Sequence, residues 1–545
     1  MHLHGGGVVT VHNLKAMGKH SDIYRDSKRT AIIDMGSNSW RLIVVEYVPG
    51  LSFKVVDEVR ESVRIGEGMA ELNVLRPAAM DRGARVAQIY AAFCKTAGIT
   101  DIVAVATSAI RDARNQARFL ERIARESGIE PRVLSGEEEA YYAYLAAVNS
   151  TTLENGIVLD LGGGSLEIVR VEGRRPTRSV SFPLGAVRMT EGYLHSDPVT
   201  AKELNKLTSA VRETFKSLEW LRAEDDFSLI GEGGTLRQIA RLAQKRLNYP
   251  LDILHGYTVP IGQISSIKDE LAKLSVSARR RLLGMKIDRA DISLAGAVVV
   301  HEAMRTAGFD AITICSQGLR EGLFYERFLS EDDGNGRPVD HSAPPMFADV
   351  RRASVLNLCH LYRFQEQHAQ HIARLTLSMF DQLPAELHDC GPVERELLWA
   401  ASMVHDIGVT VDYHDHHKHG SYLVLNAGLP GFSHREIALI ALLVRYHRKG
   451  RPTPDELASV LDPGDDRRLV QLCALLRLAE QIDRARDGTV HDVELTVSGG
   501  RARMALLYRG DEQVALWAVE HHREIFEQAF GVELEFIPVP DEDEV

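Results

Sequence analysis

The feature that most constrains this chain is a repeat inside it. Laying IIDMGSNSWRLIVV (32–45) over VLDLGGGSLEIVRV (158–171) aligns Asp34 with Asp160, Gly36 with Gly162 and Ser39 with Ser165. Each copy passes from an apolar run through a short Gly/Ser turn into a second apolar run, the pattern of a β-hairpin with a polar tip. Internal similarity of this kind implies two halves of like architecture. At 545 residues the chain exceeds what one hydrophobic core supports, so three or four units of about 100–200 residues each are expected.

Around the first hairpin the pattern predicts a helix near 77–97, a strand at 101–109, a helix near 114–127, a strand at 131–136 and a helix at 137–148. Strands alternating with helices imply an α/β layer. A third glycine turn, LIGEGGTLRQIA (229–240), again runs into a helix, and CSQGLREGLFYERFL (315–329) closes this part with an amphipathic helix. The segment SEDDGNGRPVDHSAPP (330–345) has no apolar periodicity and reads as a linker. From 350 to 490 long helical patterns rich in histidine replace the strands, and the end reads as two strands, a helix and a strand with an acidic tail at 541–544. The expected organisation is a flexible extension (1–29), α/β units at 30–140 and 141–328, a linker (329–349), an all-α unit (350–490) and a small α+β unit (491–545).

Composition excludes several classes. No stretch approaches the roughly 18 consecutive apolar residues of a membrane span, and residues 1–29 lack the apolar run of about 7–15 residues of an export signal. The five cysteines (Cys94, Cys315, Cys359, Cys390, Cys473) form no C-x-x-C pair, which argues against disulfides and zinc ribbons and for a reducing cytoplasm. A net charge of -12 weighs against non-specific nucleic-acid binding, so a phosphate-rich substrate must find a local basic patch. Arg188, Arg279, Arg280, Arg281 and Lys286 are candidates by composition alone, although an arginine run is more commonly a solvated helix face.

Glycines at a strand turn let backbone N–H groups approach phosphate oxygens. An aspartate at the mouth of each loop can hold a hydrated divalent cation of the hard, oxygen-loving kind, such as Mg²⁺. Two such loops facing each other make a cleft.

The stretches DMGSNSWRL (34–42), ATSAIRDARN (106–115), SGEEEAYYAYLA (135–146), DLGGGSLEI (160–168), GEGGTLR (231–237) and SQGLREGLFYE (316–326) carry a resemblance. On them the chain is similar to the exopolyphosphatase and guanosine pentaphosphate phosphohydrolase family, within the actin, sugar-kinase and Hsp70-like superfamily of ribonuclease H-like folds. The resemblance implies duplicated actin-like domains, Mg²⁺ (or Mn²⁺) dependence, a homodimer, and hydrolysis of the terminal phosphoanhydride of inorganic polyphosphate. Guanosine pentaphosphate is the alternative substrate, and a non-catalytic polyphosphate or nucleotide sensor is the alternative class. By the same resemblance Glu139 would orient or deprotonate the attacking water, while Asp160 and Glu167, with Asp34, would position metal and water. Arg111 would hold substrate oxygens. Gly36, Ser37, Asn38 and Ser39, then Gly162, Gly163, Gly164 and Ser165, then Gly233, Gly234 and Thr235 would supply N–H and hydroxyl donors. Glu137 reads as an ordinary first-turn acid, Glu138 is open between the two roles, and Asn115 reads equally well as a helix cap. A sugar-kinase reading is weaker, since no hexose-binding run is present.

In the helical unit His368, the pair His405-Asp406 and the later His414, His416, His417, His419, His434 and His447 resemble the HD-domain phosphohydrolases, whose histidines and aspartates bind metal. Where that pattern has a late aspartate this chain reads LAEQIDRA (478–485), placing Glu480 at the ligand position and Asp483 three residues on. The resemblance implies a second metal site at His368, His405, Asp406 and Glu480, or an HD-like unit used only for dimerisation or for holding a chain substrate.

Overall fold

The computed structural model describes residues 27–69, 73–216, 218–330 and 344–541. The first half is built on two mixed sheets of the same topology. In the first, β1 (Lys28–Met35), β2 (Trp40–Val48), β3 (Ser52–Glu61), β4 (Asp101–Ala106) and β5 (Arg132–Val133) are ordered β3-β2-β1-β4-β5. In the second, β6 (Gly156–Leu161), β7 (Leu166–Glu172), β8 (Arg175–Phe182), β9 (Ser228–Glu232), β10 (Thr258–Pro260) and β11 (Ala311–Ile314) are ordered β10-β11-β9-β6-β7-β8. Each sheet has an antiparallel meander of three strands, and β1 and β6 each add a parallel neighbour, β4 and β9. The duplication is thus one of topology as well as of sequence, and it gives the duplicated actin-like fold.

Alternation along the strands decides where the polar ends point. In β1 and β2, Ala31, Ile33, Leu42 and Val44 face a core under the helices Pro77–Thr96 and Gln116–Ser127, while Ile32, Ile43, Val45 and Tyr47 face the other way. In β6 and β7, Ile157, Leu159 and Ile168 face a separate core, and Val158, Val169 and Val171 point back toward the first sheet. Successive side chains alternate faces, so Asp34 follows Ile32 and Asp160 follows Val158 into the space between the sheets. Two helices fill that space, Gly136–Val148 and Leu319–Ser330. They cross closely at Gly322, where a Cβ would stand 2.0 Å from the Tyr142 carbonyl oxygen. The division expected at 140/141 falls within the first of these helices, which both sheets share.

Several local expectations are corrected. Strand β4 stops at Ala106 because the chain turns into the short helix Ser108–Arg111. Strand β5 has only two residues, since Ser135 already caps the next helix through a reciprocal pair with Glu138: Glu138 N donates to Ser135 Oγ and Ser135 N to Glu138 Oε2. Glu138 is therefore a capping residue. Asn115 caps nothing by its side chain; its amide instead clasps Leu75, accepting from Leu75 N and donating to Leu75 O. Lys28 and Arg29 belong to β1 rather than to an extension, and residues 1–26 lie outside the described residues, as do 331–343 of the linker.

The helices Val350–Leu361, Glu366–Gln382, Pro392–Val404, His416–Ala427, His434–Tyr446 and Asp465–Ile482 form the second half. A three-stranded sheet, β12 (Val490–Ser498), β13 (Arg501–Tyr508) and β14 (Glu533–Pro540), packs on them, and its inner residues share one core with theirs. The single helix expected between β13 and β14 is two, Gln513–Glu520 and Arg523–Phe530. At the break the rings of His521 and His522 donate to the carbonyls of Trp517 and Ala518, serving the last turn in place of backbone donors. The two halves dock through buried polar contacts: Tyr249 Oη lies 2.9 Å from His434 Nδ1, and His434 Nε2 lies 2.9 Å from the His255 carbonyl oxygen. His434 is thus a structural histidine. Among the described residues no helix is long and apolar enough to cross a membrane.

Candidate active site

The hairpin tips of the two repeats meet. A methyl group added at Gly163 would stand 3.3 Å from Ser37 Cβ and from Asn38 N, and one at Gly164 would stand 2.4 Å from Ser108 Oγ. Glycine in the second loop is what lets the first approach it. Ser37 Oγ and Ser108 Oγ lie 3.0 Å apart beneath this contact. Between the loops opens a cleft of about 130 Å³ lined by Gly36 to Ser39, by Gly162, Gly163 and Ser165, and by Gly233 and Gly234 of the third turn. Asp34, Glu139, Asp160 and Glu167 line it too.

Three expected residues lie elsewhere. Gly164 sits behind the lining as a packing position, and buried Thr235 packs its methyl on Gly296. Arg111 grips the Glu139 carboxylate and donates to the Leu134 carbonyl oxygen at 3.0 Å, so in this geometry it holds an acid rather than a substrate.

The cleft lining is rich in acids. Burial, and then the charge of Glu167, push the Glu139 carboxyl well above its usual range. Burial and then the charge of Asp160 raise Glu167 and the fully buried Glu232, while burial, with Asp34 adding to it against the pull of Arg237, raises Asp160 to about 6. Asp34 is raised by burial against the pull of Arg320 and Arg41. Buried carboxylates whose charges raise their neighbours call for a cation. The donor set fits Mg²⁺ or Mn²⁺: it is all oxygen, and Asp34 Oδ1 is buried with no hydrogen-bond partner.

The same lining is also basic, through residues that composition does not single out. Arg41, Arg237, Arg289 and Arg320 all line the cleft. Arg320 pairs with Glu58 at 3.2 Å, while Arg237 donates to the Ser316 carbonyl oxygen. Burial, then the neighbouring Arg237 and Arg320, push Arg41 downward. Guanidinium nonetheless stays charged at neutral pH, so the crowding calls for an anion. Of the cations proposed earlier, Arg279 is buried with its Nε on the Leu271 carbonyl, and Arg188 pairs with Asp112 at 2.7 Å. Arg41 carried a usable signal: it stands over Glu167 when the repeats are aligned, and the register pairs Asp34 with Arg41 as it pairs Asp160 with Glu167. Arg237, Arg289 and Arg320 come from separate segments, with no local pattern to join them.

Gly233 adopts φ +91°, and a Cβ there would meet Leu161 O at 2.4 Å and Asp160 Oδ1 at 2.7 Å. Gly233→Ala is expected to lower the thermal midpoint, through at least the roughly 1–2 kcal/mol of a left-handed backbone, and to displace Asp160. Thermal unfolding and turnover measured on the same preparation check this.

In the helical half, His368 Nε2 and His405 Nε2 each lie 3.3 Å from Glu480 Oε2, and Asp406 is beside them. Asp483 stands behind, on His368 Nδ1 at 2.7 Å.

A duplicated actin-like core whose loops enclose both carboxylates and arginines has the groups that phosphate handling needs. The model of the Ppx/GppA phosphatase family matches residues 43–331, and that of Ppx/GppA phosphatase domain III matches residues 350–516. The chain belongs to the Ppx/GppA phosphatase family. Among solved structures, an Aquifex aeolicus Ppx/GppA family member is 30% identical over 55% of this chain and 96% of that one, with a TM-score of 0.47. An exopolyphosphatase from Cytophaga hutchinsonii is 21% identical over 56% of this chain and 99% of that one, with a TM-score of 0.51. An exopolyphosphatase-like protein is 25% identical over 55% and 97%, with a TM-score of 0.50.

Proposed function

We propose that this phosphatase is an exopolyphosphatase that hydrolyses the terminal phosphoanhydride of inorganic polyphosphate in the cleft between the sheets. The observation that carries the reading is one cleft whose lining gathers a carboxylate cluster and four arginines around two glycine loops. A chain of phosphates with its counter-cation answers both at once.

Glu139, aimed by Arg111, takes a proton from water as the water oxygen bonds to the terminal phosphorus. The bond from that phosphorus to the bridging oxygen breaks, and the shortened chain leaves with the electron pair. Ser37, Asn38, Ser165 and loop N–H groups receive the phosphoryl oxygens, and both amide atoms of Asn38 are buried without another partner. Mg²⁺ or Mn²⁺, held by Asp34, Asp160 and Glu167, would neutralise charge on those oxygens. The arginines hold the following phosphates, each by a forked pair of N–H donors.

Guanosine pentaphosphate offers the same reactive end. Among the described residues no aromatic side chain lines the cleft to stack a base, which favours the inorganic chain. Phosphate release from long polyphosphate and from the nucleotide, at equal concentrations of ends, tests this: faster release from the nucleotide would reverse the assignment. Arg289→Ala is expected to raise KM for polyphosphate about 10–100-fold, the equivalent of one charged hydrogen-bonding group, with a smaller change in kcat. Steady-state kinetics separate the two.

A further inference from the structure

A second cavity, of about 510 Å³, opens where the two halves meet. The α/β half lines it with Ile43 and Val45 of β2, Phe53 of β3 and the helix Leu319–Ser330. The helical half lines it with the helix Val350–Leu361 and the turn that follows Ala427. Such a volume falls within the roughly 300–1,000 Å³ of small-molecule sites, whereas close-packed interiors leave few voids larger than a water molecule. Two amides hold the walls apart. Asn357 Oδ1 accepts from Phe53 N at 2.8 Å, joining the halves directly. Asn149 Oδ1 accepts from Phe347 N at 2.9 Å, and Asn149 Nδ2 donates to the Pro345 carbonyl oxygen at 3.0 Å.

The lining states what kind of molecule it suits. Phe53, Phe324, Tyr325 and Phe347 pack on one another with ring centroids 5.1–6.5 Å apart and present their remaining surface to the cavity. Aromatic surface of this kind favours a flat ring. The two charged lining residues are already engaged: Glu321 accepts from Gly318 N at 2.9 Å, and half-exposed Lys54 lies 3.7 Å from Glu46. Two lining amides keep capacity to spare. Gln317 Oε1 is buried without a hydrogen-bond partner, so the bond of this side chain to the Tyr325 hydroxyl is made by its N–H. Asn357 has its oxygen occupied by Phe53 and offers its N–H groups. A buried acceptor left without a donor is costly until a ligand supplies one.

We propose that this cavity binds an uncharged, flat heterocycle of nucleoside size that carries both an N–H donor and a carbonyl, the chemistry of an oxopurine. Its N–H donates to Gln317 Oε1, its carbonyl accepts from Asn357, and its rings lie against the phenylalanines. The helix Leu319–Ser330 connects this site to the cleft, since Leu319, Arg320 and Glu321 line the cleft while Glu321, Phe324 and Tyr325 line the cavity. A ligand here therefore bears on Arg320 without entering the cleft, and is expected to change KM for polyphosphate at least twofold. That effect alone rests on the proposed activity.

Equilibrium dialysis of the full chain against labelled inosine and guanosine tests the site, because neither carries a phosphate for the cleft. At least one is expected to bind with Kd below about 1 mM, and adenosine, which lacks the carbonyl, about tenfold more weakly. Gln317→Leu is expected to cost about tenfold in affinity, one hydrogen bond. Ala353→Trp, which fills the cavity from the helical half, is expected to abolish binding, and thermal unfolding shows which variants are folded. No binding of either oxopurine nucleoside, or equal binding by wild type and folded Ala353→Trp, would overturn the site. Unchanged affinity in folded Gln317→Leu, or adenosine binding as tightly as inosine, would overturn the ligand chemistry. Binding with KM unmoved would overturn the coupling. Dialysis contains no polyphosphate, so its result stands whether or not the chain hydrolyses that polymer.

Discussion

Replacing Glu139 by glutamine is expected to lower phosphate release from polyphosphate by about 10²–10⁴-fold, the range of one general base, with KM changed only a few-fold. Glutamine keeps the shape and one oxygen for Arg111 but cannot take a proton at neutral pH. The helix survives the change because its start is fixed by Ser135 and Glu138, not by residue 139. Glu139 is 8% exposed, and its placement at the first turn of a helix whose N-terminus opens on the cleft gives it a single direction. Circular dichroism and initial rates on the same sample check both halves of the expectation. Full activity in E139Q would remove the base from this residue and leave the Glu139–Arg111 pair as a structural ion pair.

Asp160→Asn is expected to have opposite effects on activity and stability. Asp160 stands in register beside Glu167 on β7 and Glu232 on β9, and its carboxyl is raised to about 6 by burial, with Asp34 adding to it against the pull of Arg237. A carboxylate raised in the folded state destabilises the metal-free protein above that pH, and the penalty disappears on acidification below the unfolded value near 3.8. The amide carries no such penalty, so the thermal midpoint of metal-free D160N at pH 7.5 is expected to exceed that of wild type. Activity falls by about 10³-fold, since several kcal/mol of charge neutralisation at the phosphoryl group is lost, and excess Mg²⁺ restores part of it. Scanning calorimetry with chelator present, beside a Mg²⁺ titration of rate, reads both. A metal-free midpoint below that of wild type would mean that Asp160 serves the fold rather than the cleft.

The architecture was legible because the repeat carries its own geometry. An aspartate two residues after an inward apolar residue falls on the same face, so Asp34 after Ile32 and Asp160 after Val158 were bound to share the space between the sheets once both hairpins existed. Arg41 and Glu167 obey the same alternation, following Ile43 and Val169 across the hairpins. The arginines of the cleft were less legible. Arg237, Arg289 and Arg320 are brought together by tertiary packing alone, so a run such as Arg279 to Arg281 draws attention first and proves to contain a buried structural residue. Arg111 shows the limit of carrying a role over by resemblance: its guanidinium finds the nearest acid, Glu139, and acts through it. The strands expected to run to 109 and 136 stop short because a helix begins at Ser108 and because Ser135 caps the next helix, closing β5 after two residues.

The central claim is that opposed loops on two like sheets cut a phosphate chain from its end. Polyphosphate of defined length, incubated with the wild-type chain and Mg²⁺ and resolved on a gel while free phosphate is counted, tests it most directly. The account predicts that free phosphate appears from the first time point and that no mid-length fragments accumulate. Mid-length fragments ahead of free phosphate, or a chain that stays intact, would contradict it.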